Sequence, residues 1–373
     1  MERRTALQAG LTLALGTRAF AAPHQTELKM AEEVLARSVS SGKVEAASLF
    51  VRHRRTVFAR SFGAAATTDA IFLLASISKP LTYLVGMRLV ERGLLNLSDP
   101  VTRYIPDFAA HHKEDTLVEH LFTHTSGMPD MLPDNAELRR KHAPLKTFIE
   151  GAIASPPLFP PGTNLKYQSM GTLVVAELIQ RITGHPIRQA LRQELFDPLG
   201  LDSIALGSRG VDRRRLVRVQ TPEYQRGTDF GWNSRYWQEF GAPWGGVFAS
   251  PDDLAVICQL MLEGGSVEGT RLLAPSTIEA MTGNRLMTMP GIPDPVRRGQ
   301  PWGLGWRLNH PGTSGSWGDT LSPRVFGHTG ATGTMCWMDP DREAFCILLT
   351  TAIRSRAPWR LVHLSNAISA SIL

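Results

Sequence analysis

The chain has 373 residues, 43% hydrophobic and 20% charged, with a formal net charge of +6. This is ordinary globular composition, enough for one large domain or two modest ones. Residues 1–21 hold Glu2, Arg3, Arg4 and Arg18, so the remainder carries +4. The one dense basic cluster, Arg213-Arg214-Arg215 with Arg218, reads as solvated surface, and nothing points to a nucleic-acid partner.

The N-terminus has the pattern of an export signal. Arg3-Arg4 precede an apolar run, Ala6 to Leu15, that is too short to span a membrane. Ala19-Phe20-Ala21 fits an A-x-A cleavage site. The paired arginines followed by Thr5, Ala6 and Leu7 resemble a twin-arginine signal, with an ordinary secretory signal as the alternative. The expectation is a signal peptide at 1–21, a single domain at 22–373 and a periplasmic or secreted product. No Cys follows the cleavage site, so no stable membrane anchor is expected.

Residues 25–42 read as an amphipathic helix through Leu28, Met30, Ala31, Val34 and Leu35. Ala47 to Val51 and Thr56 to Ala59 read as a hairpin turning at His53-Arg54-Arg55. Then comes Leu74-Ala75-Ser76-Ile77-Ser78-Lys79-Pro80, an S-x-x-K opening a helix. The apolar run Leu81, Leu84, Val85, Leu89, Val90 and Leu94 has helical spacing, and Pro80 is tolerated only near a helix start. Residues three apart share a helix face, which puts Lys79 beside the Ser76 hydroxyl. The helix N-terminus offers free N–H groups and partial positive charge to a developing oxyanion. The same field, with burial, lowers the pKa of Lys79 and favours a proton-accepting amine. A Ser hydroxyl needs such a neighbour to act as a nucleophile. S-x-x-K alone is weak evidence. The chain holds a second copy, Ser40-Ser41-Gly42-Lys43, with nothing around it to build a site.

Residues 96–108 read as loop, and Leu117 to His124 as a short helix running into Thr125-Ser126-Gly127-Met128-Pro129. His120 and His124 are four apart, but a zinc site would need a third ligand and a general base, so packing or hydrogen-bonding roles and no metal are expected. Ser98-Asp99-Pro100 is similar to an S-D-N element but lacks the Asn and lies too near Ser76. Pro160 to Thr163 is a turn, and Tyr167-Gln168-Ser169 leads into a helix, Thr172 to Thr183, stopped by Gly184. Pro186 to Phe196 reads as helix. Residues 207–245 are irregular and aromatic, with Trp232, Tyr236, Trp237 and Trp244, and read equally as a cleft lining or a packed surface loop. Ser250-Pro251-Asp252-Asp253 starts a helix that ends at Gly264-Gly265. Strand-like segments follow near Gly303 to Leu308, Val325 to Thr329, Thr334 to Met338 and Ala344 to Thr350, then a helix from Pro358 to Ser371. Cys336 and Cys346 lie on two of these strands, where core packing is favoured over a disulfide.

This order predicts an α+β fold: an antiparallel sheet built from both chain ends, flanked by helices, with a helical insertion over about residues 106–235. Three short elements now stand in sequence: Ser76-x-x-Lys79, Tyr167-x-Ser169 and His328-Thr329-Gly330. With Leu121 to Gly127 and Pro161-Gly162-Thr163, the set resembles the class C β-lactamase-like serine hydrolases, which include penicillin-binding proteins, family VIII carboxylesterases and D-stereospecific peptidases. The resemblance runs from about residue 25 to the C-terminus. It implies a β-lactamase/transpeptidase-like fold, an acyl-enzyme on Ser76, Lys79 as proton-managing partner and Tyr167 as phenolate or hydroxyl relay. It implies an oxyanion hole from the N–H groups of Ser76 and Ala331, substrate contacts from Ser169, His328, Thr329 and Gly330, and no cofactor.

Two departures modify that expectation. Ser169 replaces the usual Asn of Y-x-N, and its hydroxyl has less reach than an amide. His328 replaces the lysine of K-T-G, exchanging a permanent cation for a group mostly neutral at pH 7. Arg354 or Arg356, following a strand expected near the site, are candidates to restore the charge. Both departures favour a carboxylesterase or D-peptidase over an efficient β-lactamase. The substrate is expected to be a small ester, amide or β-lactam. A class C-type β-lactamase and a non-catalytic peptidoglycan- or β-lactam-binding sensor are the alternatives. No G-x-S-x-G elbow is present.

Overall fold

The computed structural model describes residues 28–372 apart from 66, 68, 311–316 and 357. The expected signal segment at 1–21 lies outside the described residues. The helices that frame the site are α1 (Lys29–Ser40), α2 (Ser78–Glu91), α3 (Met170–Thr183), α4 (Pro251–Leu262) and α5 (Pro358–Ser371). The main strands are β1 (Ala46–His53), β2 (Thr56–Gly63), β3 (Arg307–Leu308), β4 (Phe326–Gly330), β5 (Thr334–Asp339) and β6 (Ala344–Thr350). They form a six-stranded sheet in the order β2-β1-β6-β5-β4-β3, antiparallel throughout. The two ends of the chain meet where β1 pairs β6, with Phe50 opposite Ile347.

Side-chain alternation divides the core into two layers. On one face Leu49, Trp337, Cys346 and Leu348 pack with Ala31 and Leu35 of α1 and Leu364 and Ile368 of α5. The Trp337 indole N–H donates to Ser365 Oγ at 3.0 Å, tying α5 down. On the other face Phe50, Cys336, Ile347 and Leu349 pack with α4 and the helical region around α2. The register sets Cys336 opposite Ile347 and Cys346 opposite Trp337, so the two thiols lie on opposite sheet faces. All three cysteines are free and buried.

Helix α2 is apolar nearly all round and is enclosed on nearly every side, with Leu81, Tyr83, Leu84 and Val85 fully buried. It packs against α3, and the Tyr83 hydroxyl meets Thr172 Oγ1 at 2.7 Å. Between residues 106 and 235 the described elements are helical except for the short strand Ile204–Leu206. That strand joins Val247–Ala249 and Phe72–Leu73 in a three-stranded sheet that carries the chain into Ser76.

Several elements differ from expectation. The segment from Gly303 yields only the two-residue β3, because Gly303 and Gly305 form a tight turn. Gly305 has φ +88° and lies against the Tyr83 ring, where a side chain would collide. Helices Asn135–Arg140 and Leu145–Ala154 were not expected; the first buries none of its side chains and so leaves no apolar stripe to read. Pro186 to Phe196 is a helix, Ile187–Leu191, that widens into a π turn.

Gly330 is where β4 closes on the segment before Ser76. A Cβ there would meet the Leu74 carbonyl and Thr334 Oγ1. Gly330→Ala is expected to destabilise the protein by about 1–3 kcal/mol through overpacking. A lower urea midpoint with an unchanged slope is the expected reading, and an unaltered midpoint would show that this approach is not tight.

Candidate active site

Ser76 sits in a one-turn 3-10 helix, Ala75–Ile77, that runs directly into α2. Ala75 is forced to φ +49°, a conformation that costs a non-glycine residue energy and persists only when its surroundings impose it. They do so here. Leu74 N–H donates to Val247 C=O at 2.9 Å. The Ser78 hydroxyl donates to Ala75 C=O at 2.7 Å and accepts from Val247 N–H at 2.9 Å. From the other side, Thr332 and Thr334 hydroxyls donate to the Leu73 and Leu74 carbonyls, each at 2.8 Å. The second S-x-x-K has no such setting: Ser40 is exposed and bonds only Arg37 C=O of its own helix, at 3.2 Å.

Lys79 is 1% exposed. Its Nζ lies 3.3 Å from Ser76 Oγ and donates to the Trp244 carbonyl at 3.2 Å. Burial pushes the amine down to about 7, and the Asp130 carboxylate pulls the other way. The site therefore holds comparable amounts of amine and ammonium at neutral pH.

Tyr167 lines the cavity with Ser76, close enough for the Ser76 hydroxyl to favour its phenolate form. Lys79 Nζ lies over the Tyr167 ring, 4.5 Å from its centroid, rather than beside the hydroxyl. Burial holds the phenol above its ordinary value, outweighing the Ser76 bond and the Arg354 charge, so Tyr167 is a phenol at neutral pH. The expected lowering by nearby cations does not occur, because the desolvation cost of a phenolate is larger. Ser169 does not reach Lys79; it donates to Asp130 Oδ1 at 2.6 Å.

His328 is on β4, 4% exposed, with its Nδ1 2.9 Å from the Thr329 carbonyl. Burial, then Lys79, lowers it to about 3, so it is a neutral imidazole. Thr329 Oγ1 accepts from Arg354 Nη1 at 3.1 Å, and Arg354 N–H donates to Ala331 C=O at 3.0 Å. Arg307, on β3, lies close enough to lower the His328 value further. Among the described residues no carboxylate pairs with either arginine.

These groups border one cavity of about 870 Å³. Ser76, Tyr167, Ser169, His328, Thr329, Gly330 and Ala331 all line it, and Lys79 lies just beneath. Trp232, Trp237 and Trp244 line it too, which decides the reading of the aromatic segment in favour of a cleft. Sequence reasoning missed Asp130, Arg139, Trp302 and Arg307, and it gave His124 a packing or hydrogen-bonding role without placing it at the cavity. His124 has φ +61°, accepts the Gln168 N–H at 3.3 Å, and packs 4.7 Å from the Tyr167 ring and 4.6 Å from Trp302. An available signal was position: Asp130 directly follows the quoted Thr125 to Pro129 run. His120 lies apart, accepting the Leu117 N–H at 3.2 Å, and among the described residues no group of His, Cys, Asp and Glu could hold a metal. Asp99 of the S-D-P element is engaged with Tyr104 at 2.6 Å and is not part of the cavity.

The electrostatics give a direct expectation. In protein with ¹⁵N-labelled lysine, the Lys79 Nζ resonance should titrate near 7, shifted by burial from its ordinary value. His328 should not titrate between about pH 5 and 8. A Lys79 midpoint near the ordinary ~10.4 would mean that the amine is solvated.

Comparison with known proteins agrees with this geometry. A protein of Escherichia coli (strain K12), named as a candidate D-alanyl-D-alanine carboxypeptidase, is 24% identical over 366 residues, covering 87% of this chain and 82% of the relative. The solved structure of EstCE1, described as a hydrolase with promiscuous acyltransferase activity, superposes with TM-score 0.77 at 18% identity, covering 92% of this chain and 99% of that one. A penicillin-binding protein homologue from Caulobacter crescentus superposes with TM-score 0.74 at 22% identity, covering 94% and 99%. These likenesses establish a β-lactamase/transpeptidase-type fold. The Beta-lactamase family model matches residues 31–360, and the chain belongs to that family of serine hydrolases.

Proposed function

We propose that the protein is an exported hydrolase that cleaves ester or amide bonds through an acyl-enzyme on Ser76. The observation that carries this is the convergence of Lys79 Nζ, 3.3 Å away, and the Tyr167 side chain on one Ser76 hydroxyl at the cavity floor. The neutral amine of Lys79 takes the Ser76 proton as Oγ attacks the carbonyl. The resulting oxyanion is received by the N–H groups of Ser76 and Ala331. Tyr167, a phenol, gives its proton to the leaving group, and the Lys79 ammonium restores it through a bridging water, since Nζ lies over the ring and not at the hydroxyl; deacylation by water repeats the path in reverse. Export rests on the residue pattern at 1–21.

The neutral His328 offers no charge to a substrate carboxylate, which favours esters and peptides over efficient β-lactam turnover. A specific observation adds a second reading. Arg354 bonds Thr329 and Arg307 lies near it, neither paired with a carboxylate among the described residues, and two such guanidiniums suit a leaving group that carries a carboxylate. That chemistry matches a peptide with a free C-terminus, the bond type named for the Escherichia coli relative. It matches a β-lactam acid as well.

Fluorophosphonate treatment should label Ser76 alone, and Ser76→Ala should abolish turnover while Ser40→Ala changes nothing. Lys79→Ala and Tyr167→Phe should each cost about a hundredfold or more, and the double variant little beyond either. Multiplying losses would refute a shared proton path. The sign of the pH dependence follows from the lowered amine: kcat/KM for a neutral ester should rise as pH climbs through about 7 and then level. A rate that falls across that range would remove Lys79 as the base.

A further inference from the structure

One wall of the cavity is left unused by the reaction just described. The Trp244 carbonyl accepts from Lys79 Nζ at 3.2 Å, and the Trp244 ring packs edge-on against Phe240, 6.0 Å between centroids. Phe240 in turn stacks on Trp237 at 5.7 Å and is backed by Phe148 at 5.0 Å. Trp237 is therefore held at a fixed distance from the reacting centre. Arg139 lies over the Trp237 ring, 4.4 Å from its centroid, and its Nη2 donates to the Phe230 carbonyl at 2.8 Å. Both Arg139 and Trp237 line the cavity, with Asn135, Tyr224 and Gln225 around them.

Among the described residues no carboxylate pairs with Arg139. The ionisable groups that act on it are two phenols, Tyr224 and Tyr236. A guanidinium cannot escape burial by losing its proton. Partly burying one without an anion is costly, and the cost is offset when a ligand brings the anion. The stacked geometry also presets the fork for a planar carboxylate.

The two cationic regions serve different halves of the substrate. Arg354 is bonded to Thr329 and acts on Tyr167, the group that protonates the leaving group. Arg139 stands on the wall built by Trp237, Phe240 and Trp244, whose carbonyl meets Lys79, and not on the Thr329 strand that Arg354 bonds. With the leaving group on the Arg354 side, that wall is left for the acyl portion.

We propose that Arg139, stacked on Trp237, is a subsite for a carboxylate carried on the acyl portion of the substrate, several bonds from the scissile carbonyl. The substrate class is an ester or peptide whose acyl group is acidic. This rests on the acyl-enzyme reading of Ser76, and the test separates the two.

Two esters differing only in that carboxylate are compared: p-nitrophenyl hydrogen glutarate and its methyl ester, each corrected for uncatalysed hydrolysis. Wild type should favour the acid in kcat/KM by roughly tenfold or more, the scale of one charge-assisted contact. The preference should shrink as salt is added. Arg139→Gln should bring the ratio close to one, and Arg139→Lys should restore part of it. A wild-type enzyme without the preference overturns the proposal, whatever the variants do. So does a preference that survives in Arg139→Gln with a wild-type unfolding midpoint. If neither ester is turned over and fluorophosphonate fails to label Ser76, the acyl-enzyme reading has failed. The subsite is then judged by binding, using tryptophan fluorescence of Ser76→Ala titrated with glutaric monoamide and its methyl ester. Tighter binding of the acid, lost on adding Arg139→Gln, supports it, and equal binding overturns it.

Discussion

The burial of one amine governs this site. Lys79 is enclosed by the helical region, the Trp244 carbonyl and the face of Tyr167, and its charged form is disfavoured for want of water. Everything else follows from keeping that environment dry. Helix α2 is enclosed on almost every side, so its first turn cannot shift toward solvent. The left-handed Ala75 is tolerated because hydrogen bonds to Val247, Thr332 and Thr334, with the Ser78 hydroxyl on its own carbonyl, hold the turn that carries Ser76. A solvated Lys79 would be an ammonium and useless as a base. A Lys79 with no anion nearby would be driven further below neutrality, and Asp130 limits that.

Burial acts on Tyr167 in the opposite sense and so assigns its role. Removing water raises an acid that becomes charged on losing its proton and lowers a base that is charged when protonated. In one pocket the same desolvation therefore favours a neutral amine and a neutral phenol, the forms that the proposed reaction uses as acceptor and donor. The cation over the ring face does little to reverse this, since it does not approach the oxygen. His124 and Trp302, 4.6 Å apart, pack together against the ring.

Much of this was legible in the sequence because the reacting groups are set by short-range patterns. Ser76 and Lys79 are three apart on one helix start, a relation local geometry fixes. The strand Ala344 to Thr350 and the helix after Ser250 were readable from apolar runs and an N-cap, and the Ser250 hydroxyl does accept the Asp253 N–H at 3.2 Å. The residues that escaped notice depend on tertiary contacts. Asp130 matters because Ser169, 39 residues on, donates to it. Arg307 matters because a two-residue strand delivers it beside His328. The aromatic segment had little period to read, since its helices, Arg213–Arg215, Glu223–Gln225 and Arg235–Phe240, are short, and Trp232 and Trp244 line the cavity from outside them.

The two departures from the family pattern act on Lys79 in the same electrostatic direction. A lysine at position 328 would set a second ammonium beside Lys79, because His328 already interacts with Lys79 from there. In a dry pocket two ammonium groups cannot both stay charged, and Lys79 would be driven lower. A neutral imidazole removes that repulsion. At the second element, Ser169 positions the Asp130 carboxylate, which raises Lys79. Both changes move the amine upward, toward neutrality. The cationic charge has been relocated to Arg307 and Arg354 near the cavity surface, where a guanidinium keeps its proton under any condition the fold survives. In the proposed reaction proton transfer and anion recognition fall to different residues, and the Arg354 charge acting on Tyr167 couples the two.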